Sequence, residues 1–484
     1  MLLTLSGLLV SASLPPLLTI EAVAQDKTGE KSVLSSPPKS ILSQDIVKAL
    51  SNFDENKRIK NPGASDSPED TFSIKEAIEV ALTSHPTYAS LASNRRATKK
   101  ELEQAKSLYL PSIDLRADGG VEYTDNPDGI GGDDNQETLG RYDTSLTLTQ
   151  LLYDGESTYR ENLRQKARLL SASNRQREGA ELIGLSVIEF YIEILRQREL
   201  LNLAEQNVRT HIDIFEDIKA NAELGKATQA DVVQIEARLE DAQAARNNTE
   251  RSLMVAQANF KREVGARAYG LIEPRPPENT LSANVEQEIK IALENNPTLS
   301  IFESDINVAR QEFEASKASL YPEFDLQLNA RTADNLGGIQ GQDSNASALV
   351  VMNWNLYRGG EDTARIQEFK YRHSRAKEEY AEQARNIENE VRNTWADMLT
   401  ARKRMRNFER QAKANDKLVA AYQDQFYANR RTLLDVLDVQ NEFFVSSTSM
   451  IDEKYLAAFS LYRLLALKGE LLNTLSVNIP DRLQ

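Results

Sequence analysis

Four segments of the chain alternate apolar and polar residues: residues 113–123, 142–152, 324–332 and 346–356. In the first segment, Ile113 and Leu115 fall on one face, while Asp114 and Arg116 fall on the other. A period of two is the spacing at which side chains share one face of an extended strand. The pattern therefore predicts four strands of about ten residues, each with one apolar and one polar face.

Two much longer segments, residues 155–222 and 359–426, space their seam residues alternately by three and four. The first seam contains Leu201, Ala204, Val208, His211, Phe215, Ile218 and Ala222, and the second contains Met405, Phe408, Ala412, Asn415, Val419, Tyr422 and Phe426. This seven-residue repeat predicts helices of about 100 Å in left-handed coiled coils, each with a shorter returning helix as its partner. Because His211 lies on the seam, we expect a packed core histidine rather than a metal ligand.

The chain contains the same unit twice. Residues 74–87, "IKEAIEVALTSHPT", are answered by residues 285–298, "VEQEIKIALENNPT", 211 positions later. Further on, "LLYDG" at 151–155 is answered by "NLYRG" at 355–359, and Thr228 and Asp231 by Thr432 and Asp435, 204 positions later. Such self-similarity predicts an internal duplication. Each repeat runs from helix through two strands to a long helix, a tight turn and a returning helix.

The ends of the chain differ from the repeats in composition. Residues 1–24 form an apolar run that closes on Ala22-Val23-Ala24, the form of a signal-peptidase site, so we expect export and cleavage near Ala24. A membrane anchor is the alternative, although Pro15-Pro16 interrupts the run. Residues 25–71 are rich in Ser, Pro and charge and predict a poorly ordered leader. The first repeat is placed at 72–280, the second at 281–473 and a tail at 474–484.

Composition argues against several functions. The 484 residues include no cysteine and three scattered histidines, and the net charge is −15. Thiolate chemistry is excluded, histidine catalysis is disfavoured, and an acidic chain is a poor partner for nucleic acid. The loop "GIGGDD" at 129–134 lacks a following helix and is interpreted as a surface loop. We expect no enzyme activity, no cofactor and no metal.

The predicted strands carry aromatic residues at their ends. In the first repeat these are Tyr109, Tyr123, Tyr142 and Tyr153, and in the second they are Tyr321, Phe324, Trp354 and Tyr357. Such girdles are typical of strands that cross a membrane, although aromatic residues also favour strands in general. Four strands alone would leave open edges in lipid, so a membrane location requires several copies of the chain.

The duplicated unit of two strands and a coiled-coil hairpin resembles the TolC-like family of outer-membrane efflux and secretion channels. The segment "NRRTLLDVLDVQNEF" at 429–443 is the most specific match, and "LYLPSIDL" and "LYPEFDL" match where the family's helices meet its barrel. The resemblance implies an α+β membrane protein: a homotrimer whose four strands per chain close a twelve-stranded barrel, continued by an α-helical tunnel into the periplasm.

The two hairpin tips contain the candidate site residues. Gly225 and Asn429 suit helix C-caps, and Thr228 with Asp231 and Thr432 with Asp435 have the form of capping boxes. Capping does not explain Asp438, whose counterpart in the first repeat is Gln234. Asp435 and Asp438 lie on one helical face, which suggests that the second hairpin is the inner one.

The resemblance also implies roles for these residues. The aspartate pair would line the periplasmic entrance, and Arg431 would hold the inner hairpin against a neighbouring outer hairpin near Asp231. The family's gate tyrosine aligns with Phe426 or, one residue off, with Tyr427. The tips, including Gly225, Thr228, Asn429 and Thr432, would dock a periplasmic adaptor.

The expected function is an outer-membrane channel for a tripartite transport system with an adaptor and an inner-membrane ABC or RND transporter. We favour type I protein secretion, because without cysteine the chain cannot be a lipid-anchored drug-efflux member of the family. A small-molecule efflux pump is the alternative, and a periplasmic adaptor or a structural coiled coil is a weaker one.

Overall fold

The computed structural model describes residues 71–125, 136–428 and 430–478. The predicted signal peptide, nearly all of the predicted leader and the "GIGGDD" loop lie outside these residues. The first repeat contains α1 (Ile74–Ser84), α2 (Pro86–Ser107), β1 (Ser112–Asp125), β2 (Gln136–Tyr153), α3 (Ser157–Glu223) and α4 (Gln229–Val264). The second contains α5 (Val285–Asn295), α6 (Pro297–Ser316), β3 (Glu323–Asp334), β4 (Gln342–Asn353), α7 (Glu361–Tyr427) and α8 (Leu433–Leu467), and α9 (Leu471–Thr474) follows.

The long helices confirm the prediction from the heptad pattern. α3 and α7 each contain 67 residues, and each packs against the returning helix of its own repeat, α4 or α8. His211 is buried on the first seam, as expected, and its Nδ1 lies 2.8 Å from the carbonyl oxygen of Asn207. Burial lowers the pKa of His211, which favours the neutral ring.

The four strands form one antiparallel sheet in chain order, β1–β2–β3–β4. Apolar positions stay on one face across the sheet, with Leu115 opposite Leu146 and Leu146 opposite Ala330. That face is not covered within the chain, since Leu115 is 72% exposed and Val121 is 77% exposed. The predicted alternation is therefore confirmed.

The other face of the sheet is polar and carries ion pairs. Arg331 donates to both carboxylate oxygens of Asp143, at 2.8 and 2.7 Å. Arg141 lies between Asp118 and Glu122 and donates to both. These pairs lie between neighbouring strands, so the sheet has a charged lining on one side and an apolar covering on the other.

The observed end of the fourth strand differs from the predicted one. Residues 354–356 were expected in the fourth strand, but β4 ends at Asn353. Asn353 pairs with Glu323, the first residue of β3, so β3 offers no ladder partner to the residues that follow. β2 continues to Tyr153 because Phe324 pairs with it from the other side.

An apolar core joins the bases of both hairpins. Its largest fully buried apolar and aromatic side chains include those of Tyr88, Tyr191, Tyr462, Phe260, Ile78 and Leu82. The Tyr191 hydroxyl lies 2.8 Å from the carbonyl oxygen of Phe72 and 2.7 Å from that of Ile272, and it accepts the N–H of Ile272 at 2.8 Å. This hydroxyl ties the start of the first repeat to the linker between the repeats.

A buried ion pair closes the base of the second repeat. Lys468 Nζ lies 3.2 Å from the Glu288 carboxylate and 3.1 Å from Glu470, and it donates to the carbonyl oxygen of Thr280 at 3.2 Å. The side chains of Glu288 and Lys468 are 0% and 2% exposed. Their counterparts in the first repeat are Ala77 and Val264, both fully buried in the apolar core.

The segment after α8 folds back onto the first repeat. Leu471 and Leu472 are buried, and Glu181 of α3 accepts the backbone N–H of Leu472 at 3.4 Å. Burial raises the pKa of Glu181 to about 7. The counterpart of Glu181 in the second repeat is Arg385, which is exposed. The carboxyl group is therefore buried by the segment that follows α8.

Within the described ranges, every helix is either too short or too polar to count as a candidate membrane span.

Candidate functional site

Matching capping boxes begin the returning helix of each hairpin. The Thr228 hydroxyl accepts the N–H of Asp231 at 3.2 Å, and Asp231 accepts the N–H of Thr228 at 2.9 Å. Thr432 and Asp435 repeat this arrangement at 3.3 and 3.1 Å. Hydrogen bonds from Thr432 lower the pKa of Asp435. Both boxes have the predicted form, and they fix where each tip turns.

A turn precedes each capping box, and the structure describes the glycine of the first turn. Gly225 has a φ of +71°, the left-handed conformation that a glycine adopts without strain. The corresponding residue in the second hairpin, Asn429, lies outside the described residues.

A small apolar cluster packs the two hairpins against each other near their tips. Its buried residues are Ile214, Ile218 and Ile235 of the first hairpin and Leu433 and Leu437 of the second. Phe426 packs against this cluster from the end of α7. The second tip therefore rests on the first through apolar contacts.

A hydrogen bond between the hairpins lies beside this cluster. The Tyr427 hydroxyl donates to Asp217 Oδ2 at 2.6 Å, and this bond, with burial, raises the pKa of Tyr427 to about 12. From the sequence, either Phe426 or Tyr427 could correspond to the gate tyrosine of the family. In the structure Phe426 supplies apolar packing, and Tyr427 supplies the hydroxyl.

Arg431 makes its described contacts within the second hairpin. Its guanidinium carbon lies 3.8 Å from the centre of the Tyr422 ring, and its Nε donates to Gln425 at 3.1 Å. Asp435 lies 3.8 Å from the same side chain. The arginine therefore ties the end of α7 to the start of α8, and stacking on an aromatic ring suits a guanidinium.

Asp438 lies near the first hairpin but is mostly exposed. One of its oxygens lies 4.0 Å from a guanidinium nitrogen of Arg238, and the two side chains are 62% and 44% exposed. An exposed pair at this distance contributes little to stability. Each chain thus presents two carboxylates on one face of α8, that of Asp435 with the Arg431 guanidinium nearby and that of Asp438 with the Arg238 guanidinium nearby.

Sequence reasoning missed two residues of this site, Asp217 and Arg238. No motif marks either position, and both lie on the first hairpin, whereas the paired aspartates pointed to the second. Among residues 71–125, 136–428 and 430–478, no group of three or more His, Cys, Asp or Glu residues could hold a metal ion.

The sequences of the two repeats define the class of protein to which the chain belongs. The model of the outer membrane efflux protein family matches residues 77–266 and 289–470, one range in each repeat. These ranges make up more than half of the chain, which therefore belongs to the outer membrane efflux protein family. The resemblance found in the sequence is confirmed.

Individual relatives are distant but span most of the chain. The outer membrane efflux protein BepC of Brucella suis biovar 1 is 23% identical over 334 residues, 67% of this chain and 72% of that protein. The alkaline protease secretion protein AprF of Pseudomonas aeruginosa is 24% identical over 402 residues, 80% and 82% of the two chains. Both relatives extend across the two repeats.

A solved structure shares the fold. The crystal structure of the Campylobacter jejuni CmeC outer membrane channel matches with a TM-score of 0.71 at 13% identity, covering 87% of this chain and 96% of that one. The chain thus shares the fold of that protein.

Proposed function

We propose that the protein is the outer-membrane component of a tripartite export system, working as a homotrimeric channel. The observation that carries this proposal is the four-stranded sheet, which has an exposed apolar face, an ion-paired polar face and two edge strands, β1 and β4. In lipid the open edges would leave backbone groups unpaired. Three copies close the edges into a twelve-stranded barrel, with the polar face towards the lumen and the long helices as a periplasmic tunnel.

The paired carboxylates at the second tip are proposed as the periplasmic gate. In a trimer Asp435 and Asp438 bring six carboxylates to one ring, where like charges attract multivalent cations. Tyr427 and the apolar packing of Phe426 hold the inner hairpin against the outer hairpin of its own chain. Arg431 stiffens the inner tip, and we propose that its contact near Asp231 is made with a neighbouring copy.

The cargo is proposed to be protein, exported by a type I secretion system. The similarity to a protease secretion protein of Pseudomonas aeruginosa supports this class. The partners are then a periplasmic adaptor, which docks at the tips around Gly225, Thr228, Asn429 and Thr432, and an inner-membrane ABC transporter. The similarity to an efflux protein of Brucella suis keeps small-molecule efflux with an RND or ABC transporter as the second candidate.

Conductance in planar bilayers tests the channel and its gate together. We expect purified protein to conduct ions, and we expect divalent or trivalent cations on the periplasmic side to block the current. Replacing Asp435 and Asp438 with alanine should abolish the block, while Asp231→Ala, the matched change in the first hairpin, should retain it. A protein that never conducts would contradict the proposal.

The membrane-facing side of the sheet can be tested separately. Leu115→Arg should impair assembly into the outer membrane, because an arginine near the bilayer midplane costs ~2–4 kcal/mol. Asp114→Arg, one residue away on the polar face, should assemble normally. Equal effects of the two changes would reject the assignment of the faces.

Deletion in the native host separates the two candidate cargoes. Loss of one or more proteins from the culture medium, with unchanged sensitivity to toxic compounds, would support secretion. Increased sensitivity with an unchanged set of secreted proteins would support efflux instead.

A further inference from the structure

The chain enters the first repeat at a fixed point on the linker between the repeats. Phe72 and Leu271 form a parallel β-bridge, and the N–H of Phe72 donates to the carbonyl oxygen of Gly270 at 3.0 Å. The Tyr191 hydroxyl, 2.8 Å from the carbonyl oxygen of Phe72, holds the same residue from the core side. The entry point therefore lies next to residues 267–270.

A surface groove lies beside this entry point, between α4 and the linker. It has a volume of about 390 Å³. Four of its lining residues stand on α4 at spacings of three, one and three, which places them on one helical face. The full lining consists of Met254, Gln257, Ala258 and Lys261 of α4 and Arg267, Ala268 and Tyr269 of the linker.

The groove is basic, although the chain as a whole carries a net charge of −15. Among the described residues that line it, Lys261 and Arg267 are cationic and none is acidic. Both side chains are exposed, and the Arg267 guanidinium donates to the Tyr269 hydroxyl at 3.2 Å, which keeps it at the groove wall. An occupant that fits this groove should therefore carry negative charge.

The residues directly before Thr71 have the matching charge. Residues 61–70 read "NPGASDSPED", and three of the last five are acidic: Asp66, Glu69 and Asp70. These ten residues lie outside the described ranges, but the bridge at residue 72 fixes where they must join the fold. The acidic stretch is thus attached to the chain next to the basic groove.

The second repeat holds the equivalent segment against its own returning helix. Residues 277–283 stand 211 positions after residues 66–72 and lead into α5 as those lead into α1. Thr280, the counterpart of Glu69, accepts a hydrogen bond from Lys468 Nζ through its carbonyl oxygen at 3.2 Å. A cation at the end of the returning helix therefore holds the segment that precedes the first helix of that repeat.

The side chains at this contact differ between the repeats in a correlated way. Leu465 and Leu471, the counterparts of the two groove cations, are fully buried. Leu281, the counterpart of Asp70, packs against the same apolar core. Where the second repeat has leucines on both sides of the contact, the first repeat has cations on one side and an acid on the other.

We propose that residues 61–70 dock in the basic groove of their own chain, with their acidic side chains paired to Lys261 and Arg267. The docked segment then occupies the place that residues 277–283 occupy in the second repeat. This inference goes beyond the channel proposal and does not depend on it, because it concerns contacts within one chain.

The dimensions of the segment and the groove agree. Continuing the parallel register of the bridge puts Asp70 opposite Tyr269. An extended chain rises about 3.3 Å per residue, so Asp66 reaches ~13 Å further back. The stretch of α4 that lines the groove, from Met254 to Lys261, is ~10 Å long. The acidic stretch is therefore long enough to cover the groove.

Two prolines favour the extended form that this docking requires. Pro62 and Pro68 lie in the segment. The residue before a proline is biased towards extended backbone, which applies to Asn61 and Ser67. A chain restricted in this way loses less conformational entropy when it docks.

Thiol crosslinking tests the docking in the full-length chain, which has no natural cysteine. We expect Ser67→Cys/Gln257→Cys, treated with a short bifunctional thiol reagent, to link within one chain and give a monomer of changed mobility on a denaturing gel. Ser67→Cys/Val255→Cys is the matched control and should stay unlinked. Val255 is 47% exposed, but it lies about 200° around α4 from Gln257.

Charge reversal tests what holds the segment in the groove. Lys261→Glu/Arg267→Glu, added to the crosslinking pair, should slow the reaction about tenfold, because two attractions become two repulsions. Adding Glu69→Lys/Asp70→Lys to that variant should restore the rate, since the charges are again opposite. This rescue also shows that the reversed groove is still folded.

Three outcomes would overturn the docking. Links that form only between chains would assign the groove to the segment of a second copy. A pair that reacts no faster than the Val255 control would leave the groove to another acidic partner. Crosslinking that is unchanged by charge reversal would show that the two cations do not bind the segment.

Discussion

The two repeats bury different kinds of side chain at matching positions in their bases. At the base of the first repeat, Ala77 and Val264 are fully buried among apolar neighbours. At the matching place in the second, Glu288 and Lys468 form a buried ion pair. Because removing two charges from water offsets most of their attraction, such a pair adds little stability over apolar side chains of similar size. The duplicated backbone can therefore hold either an apolar pair or an ion pair at this place, provided that both residues of the pair are of the same kind.

Breaking the buried pair on one side has the largest expected effect. Glu288→Ala leaves the Lys468 ammonium buried with only Glu470 as a charged partner, and we expect a loss of about 3–5 kcal/mol in the free energy of unfolding. Denaturant unfolding of the purified protein measures this loss. The double variant Glu288→Ala/Lys468→Val, which installs the residues of the first repeat, should recover most of it. A double variant as unstable as the single one would show that the apolar pair of the first repeat cannot replace the ion pair of the second.

The contrast between buried Glu181 and exposed Arg385 predicts a dependence on pH. The pKa of Glu181 is raised to about 7 from 4.5, so its stabilising contribution is fully present below pH 4.5 and is lost as the pH rises through 7. We expect this carboxyl group to account for roughly 3 kcal/mol of that change. Unfolding curves between pH 4.5 and 8 should lose this component in Glu181→Gln and keep it in Arg385→Gln. The same pH profile for wild type and Glu181→Gln would contradict the prediction.

The two tips differ in how the end of the long helix is held. Tyr427 bonds to Asp217 of the first hairpin, while its counterpart at the end of α3 is Glu223. Tyr427→Phe removes one hydrogen bond, worth about 1 kcal/mol, and should raise the resting conductance of the channel in planar bilayers. Glu223→Gln, the matched change in the first repeat, should leave conductance unchanged. If Tyr427→Phe conducted like the wild type, the hydroxyl would not hold the gate.

The smallest expected effect is the change in thermal stability when Asp438 is replaced. Asp438→Gln installs the side chain of its counterpart Gln234 and removes no capping hydrogen bond, so the thermal midpoint should stay within error of the wild type. Asp435→Ala removes a cap and should lower the midpoint. A clear loss of stability in Asp438→Gln would make Asp438 a structural residue.

Much of this organisation could be predicted from the sequence, because it depends on periodicity. The strands, the long helices and the capping boxes at Thr228 and Thr432 follow from local patterns, and most bounds lie within a few residues of the prediction, although β2 begins at Gln136 and not at 142. The end of β4 could not be predicted, since residues 354–356 alternate like a strand but lack a ladder partner within one chain. Local pattern does not report the neighbour that a strand requires.

The long-range pairs of the site could not be predicted either. Which of Phe426 and Tyr427 faces the first hairpin depends on a rotation of about 100° per residue around the helix, and an alignment uncertain by one position cannot decide it. Lys468 and Glu288 are 180 residues apart, and each by itself is an ordinary charged residue in an acidic chain. Only the folded backbone brings such residues together.

The length of α3 beyond the core gives the tips mechanical leverage. Tyr191 is fixed in the core, and α3 continues for 32 residues to Glu223, an arm of about 48 Å at 1.5 Å per residue. A 5° swing of one hairpin against the other at its base therefore moves its tip by about 4 Å, enough to break a 2.6 Å hydrogen bond such as that between Tyr427 and Asp217. A slight bend at the base can thus separate the two tips without unfolding any part of either helix.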